Sequence, residues 1–229
     1  MRWLLAALLI ATLAGAARAQ DVSAGRDAFL AADYAKARRI LAPLADAGDA
    51  EALYWTGVMY SQGRGYALNC LEAAFRYEQA ARQGHPEASF NLGFMLYYGM
   101  GASAADCELI PDREKAAEWL LRAAEMGKPR AQFLVGRMYM TGDGLPRGMD
   151  NAFEWLEKAA NAGLTEAQYD LGLLYAQVGN RGRAYFWFRL LAARGYPGAA
   201  QNASMLAKNM DSTEIDEADK RARQWKPVK

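Results

Sequence analysis

The sequence predicts an all-α protein, an α-solenoid built from antiparallel helix pairs. Two observations carry that expectation. Glycines that close successive copies of one phrase, Gly48, Gly84, Gly127, Gly163 and Gly195, recur at intervals of 36, 43, 36 and 32 residues. Inside each copy the same small residues return in phase: Ala52, Ala88, Ala131, Ala167 and Ala199 four positions on, then Gly57, Gly93, Gly136 and Gly172 nine positions on, with Ser204 in the last copy. Self-similarity at such a period marks stacked supersecondary units, each needing its neighbours to bury an apolar face.

The N-terminus stands outside this pattern. Arg2 gives a short positive region, Trp3 to Ala14 an apolar run, and Ala17-Arg18-Ala19 a small-x-small site ahead of Gln20. That order predicts a secretory signal peptide over residues 1–19, cleaved between Ala19 and Gln20, and a periplasmic or secreted product. The apolar run is shorter than the roughly 20 residues of a spanning helix, and no integral membrane segment is expected after cleavage. The chain carries 27 basic and 26 acidic residues, and loss of Arg2 and Arg18 moves the balance only slightly. Near-neutrality gives no electrostatic footprint for nucleic acid.

From residue 20 to 229 one α-solenoid domain is expected. A cap pair spans 22–47, turning at Asp33. Repeats follow at 48–84, 85–127, 128–163 and 164–195, and capping helices occupy 196–225. In each repeat, helix A starts just after the closing glycine. Pro86, Pro129 and Pro197 suit its first turn, where a missing N–H costs little, and Glu51, Glu87 and Glu166 suit the positive end of its dipole. Positions +4, +8, +9 and +12 from the closing glycine share one face, and the small Ala and Gly there let a neighbour approach closely. Gly63, Gly99 and Gly142 end helix A, and Gly65, Gly101 and Gly144 permit a positive-φ loop. Helix B carries Ala73-Ala74, Ala116-Ala117, Ala152-Phe153 and Ala184-Tyr185 in its first half, ends in Ala80-Ala81, Ala123-Ala124, Ala159-Ala160 and Leu191-Ala192, and has in three copies a Trp expected in the core: Trp119, Trp155 and Trp187. Its final glycine takes the C′ position. Asp211-Ser212 caps a last helix that places Ile215, Ala218, Ala222 and Trp225 on one face.

The phrase Ala-x-x-x-Leu-Gly-x-x-Tyr-x-x-Gly-x-Gly and the run Lys115-Ala-Ala-Glu-Trp119-Leu-Leu-Arg-Ala-Ala124-Glu-Met-Gly127 resemble the Sel-1-like repeat family, relatives of the tetratricopeptide repeats, over about residues 48–210. The final helix, ending Arg223-Gln-Trp225, is similar to the tail of exported bacterial members. The fourth unit departs in lacking the Gly-x-Gly loop, and Arg76 stands where other copies have Trp. The resemblance implies a protein-binding scaffold or adaptor, with regulation of envelope signalling, for instance restraint of a sensor kinase, as one role.

Catalytic constellations are absent from the sequence. There is no Ser-x-x-Lys, Gly-x-Ser-x-Gly, His-Glu-x-x-His or phosphate-binding Gly-x-x-x-x-Gly-Lys-Ser/Thr. The Gly-x-Gly elements follow helices, not strands, so a dinucleotide reading fails its context. His85 is the single histidine and reads as a turn residue; no Cys/His cluster supports a metal, and no cofactor is expected. The reading is therefore of a non-enzyme. The alternative is a cell-wall-related hydrolase of the cysteine-rich repeat β-lactamase type, a branch with a disulfide in nearly every repeat, which two cysteines match poorly.

Another protein is the expected partner, held on the concave surface formed by helix A. Positions +3, +7, +10 and +14 fall at helical spacing opposite the core. They supply Glu51, Trp55, Val58 and Gln62; Glu87, Asn91, Phe94 and Tyr98; Arg130, Leu134, Arg137 and Thr141; and Glu166, Asp170, Leu173 and Gln177. Within this stripe Trp55, Asn91, Phe94, Tyr98, Leu134, Arg137 and Asp170 are the candidate partner-binding residues, since aromatic and Arg side chains dominate interface energy. Cys70 and Cys107 are expected to form a disulfide between A–B loops of adjacent repeats. The second unit is seven residues longer than the first, and the extra segment around Ala102 to Pro111 gives Cys107 the reach that the bond's short Cα separation demands.

Overall fold

A computed structural model describes residues 20–99 and 109–228. Among them there are twelve helices and no strands. They are α1 (residues 20–30), α2 (Tyr34–Asp46), α3 (Ala50–Gln62), α4 (Cys70–Arg82), α5 (Pro86–Tyr98), α6 (Arg113–Glu125), α7 (Pro129–Thr141), α8 (Met149–Asn161), α9 (Thr165–Gln177), α10 (Arg181–Ala192), α11 (Ala199–Ala207) and α12 (Ser212–Gln224). The predicted helix A elements are α3, α5, α7 and α9, each of 13 residues. The chain forms two compact units, Met1–Trp119 and Leu120–Lys229, divided within α6. The expected signal peptide, Gly101 and Cys107 lie outside the described residues.

The turn from each helix B into the next helix A uses one device throughout. At the end of α2, the Gly48 N–H donates to the Ala45 carbonyl (2.8 Å) and the Asp49 N–H to the Leu44 carbonyl (3.0 Å). These are the two bonds of a Schellman motif. Gly84, Gly127, Gly163 and Gly195 repeat it, each at φ between 73° and 95°, where a side chain would be strained. The residue that completes the motif is also the N-cap of the next helix: Asp49, His85, Lys128 and Leu164. Sharing one residue between two helix ends makes the connection as short as it can be.

In the first unit α2 packs on α3, α3 on α4 and α4 on α5. Ala37, Leu41, Ala52, Leu53, Met59, Ala73, Tyr77 and Leu92 fill its core. Burial pushes the Tyr77 hydroxyl up to about 12. Arg76 bonds Glu72 on its own helix (2.8 Å) and Asp46 on α2 (3.3 Å), so an ion pair occupies the place that Trp holds in other copies. Cys70 is not in the A–B loop, as the sequence suggested. It is the first residue of α4 and only 5% exposed, because the Asn69 side chain caps the helix at that point.

In the second unit α7, α8, α9, α10 and α11 pack successively, and α12 turns back onto α10. Gln132 and Gln168, five positions after their closing glycines, are buried and donate through Nε2 to the terminal carbonyls of Ala124 (3.1 Å) and Ala160 (2.9 Å). Carbonyls that a helix end leaves unpaired are thereby satisfied. Trp119 and Trp187 are buried in their own units, as expected, but Trp155 is half-buried beneath Lys158, 4.0 Å away. Helix α11 starts at Ala199, after Gly198 at φ 76°, and not at Pro197. The predicted face of α12 packs on the core through Ile215, Ala218, Ala222 and Trp225. Arg189 forks onto Asp219 (2.7 and 3.3 Å), a bond that holds this carboxyl below its usual range.

The helix A glycine nine positions after the closing glycine allows the closest packing. A Cβ on Gly136 would lie 2.8 Å from Leu156 Cγ, and one on Gly57 2.8 Å from the Tyr77 ring. Gly182, by contrast, has nothing within 4 Å of such a Cβ. Gly136→Ala is expected to destabilise by about 1–3 kcal/mol despite the better helix propensity of Ala. Gly182→Ala is expected to stabilise by about 0.4–1 kcal/mol. Urea titration followed by circular dichroism reads both signs.

Candidate partner-binding surface

In the first unit the helix A stripe divides into engaged and free residues. Trp55 is half-buried, with its ring 5.4 Å from Phe29 and 5.3 Å from Tyr54. Its Nε1–H donates to Glu51 Oε1 (2.8 Å), and the other carboxylate oxygen of Glu51 accepts from His85 Nε2 (3.0 Å). His85 Nδ1 accepts the Ala88 N–H (3.2 Å), which leaves Nε2 as the protonated nitrogen. The lone histidine is therefore no surface turn residue. It caps α5 almost fully buried, its ring stacked 4.6 Å from Tyr54. The Tyr54 hydroxyl is held above its usual range, first by burial and then by Glu87 and Glu51, with the half-buried Asn91 amide pulling the other way. Trp55 and Asn91 thus serve internal contacts.

Phe94 and Tyr98 do face outward. Phe94 is 36% exposed, and its ring lies 4.6 Å from Tyr98 and 5.9 Å from the half-buried Phe90. Tyr98 meets Tyr97 edge-on at 4.8 Å. These residues, one helical turn apart, line one side of α5 with aromatic surface.

In the second unit the stripe forms a groove between the parallel helices α7 and α9, with a cavity of about 260 Å³. Met140 and Leu174 make its floor and Leu173, 46% exposed, its rim. Arg137 Nε and Asp170 Oδ2 face one another across one end at 3.9 Å. Burial raises the Asp170 carboxyl above its usual range, Arg137 opposes that, and Glu166 adds to it. Thr141 spends its hydroxyl on the Arg137 carbonyl (3.1 Å). The volume falls below the 300–1,000 Å³ of ordinary small-molecule sites and suits one protein side chain better.

Leu134 is not part of this surface. It is 8% exposed, and Val58 is likewise buried. Positions +7 and +10 border the core face: Leu134 and Val58 fold inward there, whereas Asp170 and Arg137 at the same phases keep their charged heads toward water, and Phe94 and Leu173, also at +10, stay outward. The stripe also continues beyond the candidates chosen from sequence. Met205 of α11 has the phase of Phe94 and Leu173 and is 51% exposed. Helix B of the first unit exposes Leu71 and Phe75, four residues apart on α4, which repeat phase could not reveal because other copies carry polar or buried residues there. Among the described residues no group of three or more His, Cys, Asp or Glu could hold a metal ion, and no helix is long and apolar enough to cross a membrane.

Comparison with known proteins follows the same boundaries. The Sel1 repeat family model matches at residues 50–85, 86–128, 129–164 and 165–196. The chain belongs to the Sel1 repeat family. Among solved structures, it is similar to a Sel1 repeat protein from Oxalobacter formigenes at a TM-score of 0.72 and 25% identity, covering 89% of this chain and 82% of that one. It is also similar to c5321, a protective antigen of uropathogenic Escherichia coli with the same fold (TM-score 0.52, 23% identity, 84% of this chain and 48% of that one). The α-solenoid class expected from the repeats is thereby shown. Among characterised relatives, the chitin synthase regulator SKT5 of Saccharomyces cerevisiae is 43% identical over 76 residues, 33% of this chain and 10% of SKT5. HRD3A of Arabidopsis thaliana, an ERAD-associated E3 ubiquitin-protein ligase component, is 33% identical over 67 residues, 29% of this chain and 9% of HRD3A. The matched stretch is about a tenth of each of these relatives.

The contacts of Trp55 and Phe94 lead to opposite expectations. Trp55→Ala removes packing on Phe29 and frees Glu51 from its indole, so it should destabilise by about 1–3 kcal/mol. Phe94→Ala should change stability by less than about 0.5–1 kcal/mol, since its ring is largely at the surface. Thermal melts of the two variants beside wild type make the comparison.

Proposed function

We propose that this Sel1 repeat protein is an exported scaffold that binds other proteins through outward-facing residues of its helix A elements. The observation that carries this reading is the +10 phase. In four of the five helix A elements it places Phe94, Arg137, Leu173 and Met205, three apolar residues and one Arg, at exposed positions, while Val58 at the same phase of α3 is buried. Core positions in the same helices are filled by Ala, Gly and aliphatic residues, so exposure of large apolar groups at one recurrent phase serves something outside the repeat. The two relatives are named for a regulator of an enzyme and a component of a ligase, and a role through protein contact is carried over here on that ground. Regulation of envelope signalling is the form such a role takes if export holds.

A photo-crosslinking amino acid placed at Phe94 or at Leu173 in the native host, followed by mass spectrometry, should trap a partner protein at each site. Trapping from Phe75 on helix B but from neither helix A site would overturn the reading.

Export and the Cys70–Cys107 bond belong to the same proposal. Their support is the leader-like order of residues 1–19, the two cysteines, and the buried position of Cys70 at the start of α4. An oxidising compartment favours the bond, and closing a loop of this length contributes about 4 kcal/mol on the chain-entropy description. Peptide mapping of native protein without reduction should return Gln20 as the first residue and the two cysteines linked. An intact leader or two alkylatable thiols would count against it.

A further inference from the structure

The groove between α7 and α9 carries more information than the stripe as a whole, because its two walls differ in charge. Helix α9 bears Glu166 and Asp170 and no basic residue, and α7 bears Arg130 and Arg137 and no acidic one. The two walls do not satisfy each other. At 3.9 Å the Arg137–Asp170 pair is beyond hydrogen-bond distance. The Arg137 guanidinium stays more than half exposed and lies over the Phe133 ring at 5.7 Å. Asp170 is the more enclosed partner, its side chain 27% exposed. A half-desolvated carboxylate without a close donor is the group that gains most from a new one, since hydrogen bonds to charged groups exceed neutral ones. Three residues further along α9, less than one turn and about 4.5 Å of rise, Leu173 rims the 260 Å³ cavity over Leu174.

A carboxylate and an apolar socket at that separation match two side chains four apart on a helix. A groove between parallel helices is also the usual seat for an amphipathic helix. We propose that the α7–α9 groove takes an amphipathic helix of a partner protein, with one apolar side chain in the Met140–Leu173–Leu174 cavity and an Arg or Lys one turn away bonded to Asp170. An acidic segment would bring like charge against the more enclosed Asp170 and against Glu166, whereas a basic one meets like charge in Arg137, whose more exposed head is better screened by water and salt. This rests on the scaffold reading above and assigns the partner's chemistry at one of its sites.

The test uses the full chain and three fluorescein-labelled, lactam-stapled 14-residue helices on an Ala/Gln background, carrying Leu and Arg, Leu and Glu, or Ala and Arg four residues apart. Fluorescence anisotropy should show binding of the Leu/Arg helix, with the Leu/Glu and Ala/Arg helices weaker by about tenfold or more. Asp170→Asn, with an unchanged circular dichroism spectrum, should weaken the Leu/Arg helix by about tenfold and strengthen the Leu/Glu helix. Equal binding of Leu/Arg and Leu/Glu helices, no binding of either, or indifference to Asp170→Asn would overturn the proposal. So would a dimer in size-exclusion chromatography that Leu173→Glu disperses, since a second copy would then cover the groove. Crosslinking from Leu173 separates the two levels: a trapped partner together with charge-indifferent peptides leaves the scaffold standing and removes only the assigned chemistry.

Discussion

The structure depends on the contact made by one small residue, the helix A glycine nine positions after each closing glycine. Opposite it stands the helix B residue four positions after the first alanine: Tyr77 against Gly57, Leu156 against Gly136, Phe188 against Gly172. The partner differs in size and chemistry, yet the distance from a built Cβ stays between 2.8 and 3.0 Å. The backbone of helix A is therefore held at the same depth in each of these pairs, and whichever large residue helix B supplies lies flat against it. A glycine in a helix interior costs about 1 kcal/mol relative to Ala. That cost is offset here by the packing surface a bare backbone offers to an aromatic or branched side chain.

The same constraint explains why so much of the fold was legible. Gly at +9, Ala at +4 and Gly at C′ are positions at which steric or backbone requirements leave little choice, and such requirements appear in the sequence as invariance from copy to copy. The boundaries of α3, α5, α7 and α9 follow from them. Two features were misplaced. Pro197 could open a helix by its fixed φ, but Gly198 adopts φ 76° and delays α11 to Ala199. Cys70 follows the glycine loop in sequence, yet Asn69 caps α4 immediately before it and draws it inside. The first event has no counterpart in the other copies, but the second does: Asp112 and Asn180 accept the Lys115 and Arg183 N–H groups (3.0 and 3.2 Å) at the phase at which Asn69 accepts that of Glu72, so the start of α4 was there to be read from the repeat.

The surface was less legible for a related reason. Helical phase separates core from outer face, but positions +7 and +10 lie on the border, and there the side chain itself decides. Leu134 turns inward while Asp170, at the same phase, remains at the groove. Trp55 and Asn91 have outward phase but are drawn into contacts that cross helices: Trp55 through Glu51 to His85, Asn91 toward Tyr54 and Tyr77. Such contacts join residues 14 to 37 positions apart and leave no periodic trace.

His85 shows how this bears on function. Its Nδ1 takes the place of the Asp49 carboxylate at the preceding N-cap, and its Nε2 reaches back to Glu51, the first-turn carboxylate of the previous helix A. Successive helix A elements of the first unit are therefore linked by polar bonds at their N-termini, on the edge of the stripe that carries Phe94 and Tyr98. In the second unit the equivalent caps, Lys128 and Leu164, make no side-chain bond to the helix they begin. There the link between α7 and α9 falls to the long Arg137–Asp170 pair in the middle of the stripe. A polar link at the helix ends leaves the face of α5 aromatic and pre-set, whereas a loose one at mid-helix leaves a charged groove with hydrogen-bonding capacity to spare. The two units thus offer a partner different chemistry from one repeat design, aromatic surface in the first and an apolar socket beside a carboxylate in the second.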